Sequence, residues 1–465
     1  MVSLKKYVLV VLGVLTSSVI CADEGVPPAQ EAQNRPVIAV QKLVAKNGIK
    51  IWLYEDHRTP MIALKVRFAG LGSAYESDDK KGLMEVLTKT IRDGAGNMSK
   101  MDINKALLNL GAELFFSASD DDMFCSVTAL KNSLYKAADI IKDVITKPTF
   151  DNKLVKIAVN QLCDKYKSLI EDPKYLARKA IRESAFPKHP YGRLPTEETY
   201  KRVSGNVLRK FWSSVLNVQN IFVVLVGNID AKEAVNLVDR LFADVPSGGK
   251  RKTLARVTPK CSSDLKIVHN DTKQSIIAFY TEGISTGHPD YVAYRAANVI
   301  LGGPYQCSRL AKKIRADEGL AYYIMTNVKN YVNADMLVGI GETSNKTAYT
   351  VVNMMKDVVY KLKFDASKKD NSKIEEDELA LAKGQLLKDF YNAFSNCKTL
   401  ASYLMSMHVA RLPLSYLYDY PAKVSALTLQ DIQDVFNKKL IDPDKITCII
   451  VGQPEITTPT PQTKQ

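Results

Sequence analysis

One stretch of this chain is written twice. Val203-Ser204 opens a helical pattern that passes through Phe211-Trp212 and ends in the apolar run Ile221-Phe222-Val223-Val224-Leu225-Val226-Gly227. Val424-Ser425 opens a second, which passes through Val435-Phe436 and ends in Ile446-Thr447-Cys448-Ile449-Ile450-Val451-Gly452. Ser204 and Ser425 are 221 residues apart, and Gly227 and Gly452 are 225 apart. Each copy ends in a continuously apolar strand that stops at Gly, which is the pattern of a buried strand after a helix. The repeat therefore calls for two similar α/β domains of roughly 200 residues each, and 465 residues is more than a single core supports.

The rest of the patterning fills these domains in. Residues 50–54 and 61–68 read as paired strands around the polar turn Glu55-Asp56-His57-Arg58-Thr59-Pro60. Residues 82–92 read as a helix, 113–119 and 124–129 as two strands around Asp120-Asp121-Asp122, and 134–145 and 152–170 as long helices. The Gly, Ser and Lys content of residues 247–258 suits a linker between a domain at 39–246 and another at 259–456, with a tail at 457–465. Residues 363–377 form a charged stretch that reads as a surface loop.

The chain opens like an exported protein. Lys5 and Lys6 precede an uncharged, mostly apolar run over residues 7–20, and Ala22 is a candidate last residue before cleavage. The run is short for a bilayer, so residues 1–22 read as a signal peptide rather than an anchor, and no second run is long enough to span. Residues 23–38, rich in Pro, Ala, Glu and Gln, read as a flexible lead-in. The expected location is periplasmic or secreted. The net charge of +14 is spread along the chain rather than clustered, and an exported protein meets little nucleic acid, so a nucleic-acid partner is not expected. None of the seven cysteines forms a C-x-x-C pair; Cys125 and Cys448 sit in apolar strand-like runs, where a buried free thiol is the default.

Several motifs carry a resemblance. They are Gly72-Ser73-Ala74-Tyr75-Glu76 with Lys81-Gly82-Leu83-Met84, then His189-Pro190-Tyr191-Gly192, then Leu301-Gly302-Gly303-Pro304 with Ser308-Arg309-Leu310, Ile314-Arg315 and Gly319-Leu320-Ala321-Tyr322. In this order they resemble the pitrilysin/insulinase family of zinc metallopeptidases over residues 40 to 455. The resemblance implies two homologous α/β domains, each a mixed or antiparallel sheet covered by helices, in a half-clamshell that closes with a second such unit around a peptide chamber.

Active members of that family carry an H-x-x-E-H motif. Two imidazoles four apart hold Zn²⁺ from one helix face, and the carboxylate between them deprotonates the bound water. Aligned on Gly82-Leu83-Met84, this chain has Glu85, Thr88 and Lys89 at those places. Near position 165, where the resemblance implies a further Glu ligand, it has Asp164, Lys165 and Tyr166. Thr88 is no general base near neutral pH and Lys89 puts a cation where a ligand belongs. Glu85 and Lys89 are instead spaced for a helix salt bridge. The five histidines, His57, His189, His269, His288 and His408, include no pair spaced to share a metal. No metal is expected in this chain, and zinc is expected in a partner.

Arg315 and Tyr322 match residues that the family uses to hold the substrate backbone and carbonyl from the domain opposite the zinc. A guanidinium fork and a phenol are suitable donors for that task. Leu301-Gly302-Gly303 reads as a flexible bend before the helix at Ser308-Arg309-Leu310. The leading expectation is a non-catalytic subunit of a zinc peptidase heterodimer that binds peptide together with a homologous zinc-bearing chain. The alternative is a structural or peptide-binding relative with no peptidase role.

Overall fold

The computed structural model describes residues 39–249, 252–303, 307–363 and 373–455. The signal-like segment, the lead-in, Pro304 and the tail at 457–465 lie outside the described residues. The described residues form one compact unit.

The N-terminal half runs β1 (Gln41–Val44), β2 (Lys50–Glu55), β3 (Met61–Ala69), α1 (Leu83–Thr90), a two-residue ladder β4 (Gly94–Ala95) with β5 (Met98–Ser99), and α2 (Lys100–Asn109). It continues through β6 (Glu113–Ala118), β7 (Asp122–Leu130), α3 (Leu134–Thr146), α4 (Asn152–Leu169), α5 (Pro173–Ala185), α6 (Glu197–Lys201), α7 (Gly205–Val215), β8 (Ile221–Gly227) and α8 (Ala231–Leu241). The C-terminal half runs β9 (Leu265–His269), β10 (Gln274–Glu282), α9 (Tyr291–Gly302), β11 (Ala321–Asn330), β12 (Asp335–Ser344), α10 (Ala348–Lys361), α11 (Glu376–Asn392), α12 (Cys397–Val409), α13 (Tyr416–Ala426), α14 (Leu429–Asn437) and β13 (Thr447–Gly452).

The strands make a six-stranded sheet, β1-β2-β8-β3-β7-β6, and a five-stranded sheet, β11-β12-β10-β13-β9. The repeated apolar strands take equivalent places. β8 lies parallel to β2 and antiparallel to β3, and β13 lies parallel to β9 and antiparallel to β10. Burial on both faces explains why these two strands read as uninterrupted apolar runs: every residue of β8 and of β13 is buried. The same insertion corrects an expectation from the sequence. β2 and β3 do not pair with each other, because β8 enters between them from more than 150 residues downstream; a polar connection between two strand patterns does not reveal a third strand that arrives later.

Each sheet carries its own helix-covered core. Leu83, Met84, Val86 and Leu87 of α1 pack with Ile62, Leu64, Val66 and Phe68 of β3. In the second half, Ala293, Ala296 and Ala297 of α9 pack with Ile277 and Phe279 of β10. The opposite faces are covered by exchange. α12 from the C-terminal half sets Leu400, Ala401, Leu404 and Met405 on Trp52, Ala63, Phe222 and Val224 of the first sheet. α5 from the N-terminal half sets Ala177, Ala180 and Ile181 on Ile276, Ala278, Ile449 and Val451 of the second. The first residues of these helices, Pro173 and Cys397, are 224 apart, which extends the repeat to the exchanged pair. Burying an apolar face of each half under the other's helix is what makes the two sheets one unit.

Two further expectations change in detail. The stretch expected as a loop over residues 363–377 already turns helical at Glu376, with residues 364–372 outside the described set. Leu301 and Gly302 belong to α9 rather than to a bend, and Gly303 caps that helix. A side chain at Gly302 would meet Thr326 Oγ1 at 2.7 Å, so this glycine serves the close packing of α9 under β11.

Candidate functional site

Helix α1 turns its apolar residues to the core, which leaves Glu85 and Thr88 half-buried and Lys89 exposed. Its N-terminus is held by a buried carboxylate: Glu76 accepts from Gly82 N–H at 2.9 Å and Met84 N–H at 2.6 Å. Gly82 sits at φ 94°, and a Cβ there would lie 2.3 Å from the ring of Tyr200. A glycine is therefore required both for the left-handed turn and for the approach of Tyr200.

Tyr200 and Lys165 converge on Glu85. Lys165 Nζ donates to Glu85 Oε1 at 3.2 Å, and the buried Tyr200 hydroxyl donates to Glu85 Oε2. The salt bridge expected between Glu85 and Lys89 is thus not the one formed. α4 lies against α1 and delivers its own cation to Glu85, while the Lys89 side chain is exposed. Thr88 Oγ1 donates back into its own helix, to Met84 O at 2.9 Å and Glu85 O at 3.2 Å. Beside this group opens a cleft of about 450 Å³, whose lining includes Lys165, Tyr166, Tyr175, Arg182, Arg193 and Tyr200. Burial raises the Tyr200 phenol, and its bond to Glu85 raises it further.

These residues do not fit a zinc ion. Of the two carboxylates at the expected ligand positions, Glu85 already takes an ammonium and a phenol, and Asp164 is largely exposed with Lys167 Nζ 3.6 Å away; the other positions offer a hydroxyl committed to backbone, an exposed lysine and the lysine of the ion pair. Among the described residues no three His, Cys, Asp or Glu side chains are grouped as a metal would require. His57 lies in a turn, between Asn228 and Glu55; His408, in the last turn of α12, stacks on Phe222; His189 caps the turn at Tyr191.

Arg315 and Tyr322 fall on two local irregularities. Residues 309–317 are helical, and Ala311–Asp317 is wound as a π-helix with Arg315 in its last turn. Tyr322 is the unpaired residue of a β-bulge where edge strand β11 shifts register against β12, between Ala321 and Tyr323. Bulges and π-turns re-aim side chains at the cost of regular pairing. Here the bulge leaves Tyr322 78% exposed. Among the described residues neither the Arg315 guanidinium nor the Tyr322 hydroxyl has a hydrogen-bond or ionic partner.

A contact that motif reading did not reveal holds the halves together beside the cleft at Glu85. Asp121 accepts from Tyr191 OH at 2.5 Å and from Val332 N–H at 2.9 Å, and Tyr191 OH accepts from Asn333 N–H at 3.2 Å. The neighbouring Asp120 pairs with Arg182, which also donates to Tyr191 O at 2.7 Å. The motif His189-Pro190-Tyr191-Gly192 and the turn Asp120-Asp121-Asp122 were both visible in the sequence; their joining to residues 332–333 was not.

Two helix-covered sheets related by an internal repeat, with a cleft at α1, define a two-domain α/β fold. Residues 51–197 match the family described as Insulinase (Peptidase family M16), and residues 202–386 match Peptidase M16 inactive domain. The chain belongs to the M16 (insulinase/pitrilysin) peptidase family, whose metal is zinc. It is 23% identical over 328 residues to the Uncharacterized zinc protease YmxG of Bacillus subtilis, covering 70% of this chain and 79% of that one. It is 23% identical over 310 residues to the Non-peptidase homolog YmxG of Helicobacter pylori, covering 66% and 71%. It is also 23% identical over 342 residues to Mitochondrial-processing peptidase subunit beta of Saccharomyces cerevisiae, covering 69% and 71%. Among solved structures, a peptidase M16 inactive domain from Pseudomonas fluorescens superposes with a TM-score of 0.80 at 22% identity, covering 90% of this chain and 100% of that one. A chain of Complex III2 from Candida albicans gives 0.72 at 17%, covering 89% and 96%. No helix among the described residues is long and apolar enough to cross a membrane.

Proposed function

We propose that this chain is a non-catalytic subunit that pairs with a zinc-bearing relative, lends Arg315 and Tyr322 to a shared peptidase site, and forms half of the peptide chamber. The observation that carries it is the Lys165–Glu85 ion pair, joined by Tyr200, at positions where an active relative would need metal ligands. An ammonium already neutralises the Glu85 carboxylate, and Thr88, at the position of the base, donates its hydroxyl into its own helix. Arg315 and Tyr322, by contrast, have no hydrogen-bond or ionic partner among the described residues, as donors for another molecule's carbonyl would. A relative named as one subunit of a processing peptidase supports division of labour between chains. The signal-like pattern of residues 1–22 supports export to a periplasmic or extracellular location.

The test is to purify the full chain from its own cell envelope and to ask whether an H-x-x-E-H relative accompanies it in equal amount. A second reading, a peptide-binding pseudoenzyme with no peptidase role, is favoured by the relative named Non-peptidase homolog. Under that reading no such relative co-purifies, and Arg315→Ala changes no peptidase activity.

A further inference from the structure

On the face of the first sheet that α12 covers only in part, a second pocket of about 330 Å³ opens between the strands and the helix. Strand register builds it. Lys65 on β3 stands opposite Ser126 on β7, and Ser126 opposite Phe115 on β6, so the three share one row. Thr128 stands in the next row, opposite Ala63 and Glu113. Lys398 and Ser402 of α12 close the other side.

The chemistry of this pocket is unbalanced. Lys65 Nζ is half-buried; among the described residues its hydrogen-bond partner is Ser402 Oγ at 3.0 Å, and it lies 5.8 Å from the centroid of the Phe124 ring. Burial alone pushes its ammonium below the usual lysine value, with no carboxylate acting against it. Lys398 Nζ lies 5.7 Å from the centroid of Phe115 and pairs with Glu113 at 3.2 Å, so that carboxylate is already matched to another lysine. The Ser126 and Thr128 hydroxyls have no partner among the described residues. Phe115, 54% exposed, has Arg92 on it as well, at 5.9 Å. A partly desolvated cation without a counter-ion is costly unless something completes it.

The internal repeat supplies a control. Lys65 pairs with Val224 on β8, and Ala278 pairs with Ile449 on β13; Val224 and Ile449 are 225 apart, like the closing glycines. The row equivalent to Lys65, Ser126 and Phe115 is therefore Ala278, Ile340 and Met325. In the second sheet this row is apolar: Ala278 and Ile340 pack under α5, and Met325 at the edge is 37% exposed. In the first it holds an ammonium, a free hydroxyl and an exposed aromatic ring, so packing alone does not require the lysine there.

We propose that the pocket of Lys65, Ser126, Thr128 and Lys398 binds a carboxylate carried by a peptide, with an apolar side chain next to it lying on Phe115. The ammonium and hydroxyls supply charge-assisted and neutral donors to one anionic group. Phe115 and Ala118 are both on β6, and Ala118 lines the cleft at Glu85, so about 10 Å of extended edge strand joins the two cavities. The inference rests on the peptide-binding part of the reading above and is independent of a shared zinc site.

The test uses the full chain and fluorescent decapeptides ending in Phe, one with a free C-terminal carboxylate and one amidated, read by anisotropy. A third peptide is amidated but carries an internal Glu. The free acid should bind roughly tenfold or more tighter than the amide. That preference should vanish in Lys65→Met, and also in the milder Ser126→Asp, which tethers a carboxylate beside Lys65; circular dichroism checks that both fold. Tight binding of the Glu-containing amide would assign the carboxylate to a side chain, and weak binding would assign it to the chain end. Equal binding of all three peptides, or a carboxylate preference that survives Lys65→Met, overturns the pocket while leaving peptide binding intact. Failure of every peptide to bind overturns both.

Discussion

Lys165 Nζ reaches Glu85 Oε1 at 3.2 Å across 80 residues of sequence, from the C-terminal third of α4 to the first turn of α1. With Tyr200 of α6 on the same carboxylate, three helices meet at one group. The Glu85 and Lys165 side chains are 40% and 59% exposed, so solvent screens the ion pair. Lys165→Ala should cost less than ~1 kcal/mol of unfolding free energy. Tyr200→Phe, which strips a buried donor from the same carboxylate, should cost about 1–2 kcal/mol. Urea denaturation of the two variants checks the order; a larger loss from Lys165→Ala would contradict it.

Glu76 should make stability depend on pH in an unusual direction for a carboxylate. Burial pushes its carboxyl up to about 7, against the pull of the Met84 and Gly82 amides and of Lys81. A group whose folded value lies above its unfolded one holds its proton more tightly when folded. Its contribution is full below the ordinary value of 4.5 and is lost as pH rises through about 7. Over that window, Glu76→Gln should gain on the parent chain by on the order of 3 kcal/mol. Unfolding curves of both proteins from below that window to above it measure this; a difference that does not change with pH would count against a neutral, buried Glu76.

Tyr191 ties the halves through its hydroxyl. Tyr191→Phe removes a donor from the buried Asp121 and an acceptor from Asn333 N–H. The expected cost is about 1–3 kcal/mol, because Asp121 keeps only the Val332 amide. Thermal unfolding reads it, and an unchanged midpoint would show that water replaces the phenol without loss.

Reciprocal exchange of α5 and α12 predicts that the halves are not separately stable. Expressed alone, residues 39–246 would bare Trp52, Phe222, Val224 and Val226, which α12 covers. Each half should aggregate alone, and co-expression should restore a soluble complex of both on size exclusion. A soluble, cooperatively unfolding N-terminal half would contradict the exchange as the source of unity.

Legibility in the sequence followed how local each feature is. The apolar runs ending at Gly227 and Gly452 announced two related domains because both faces of those strands are buried, and burial on both faces leaves an uninterrupted pattern. The pairing of β2 with β8 was hidden, because the intervening strand arrives from far along the chain. At the site, the absence of histidines was plain from Glu85, Thr88 and Lys89. Helix spacing favoured Lys89 as the partner of Glu85 and missed Lys165, since an i, i+4 rule sees one helix and the winning cation comes from another. Tyr200 was missed for the same reason. The bulge at Tyr322 and the π-turn before it leave no mark in periodicity, because one extra residue in a strand reads as ordinary strand.

The measurement that tests the central claim most directly is peptidase activity of the purified pair, with this chain as parent or as Arg315→Ala. The account predicts zinc only in the H-x-x-E-H partner, and a fall in kcat/KM of about 10²–10³ for Arg315→Ala, with the pair still assembled and this chain's unfolding unchanged. Full activity of the Arg315→Ala pair, or of the zinc-bearing chain without this one, would contradict it.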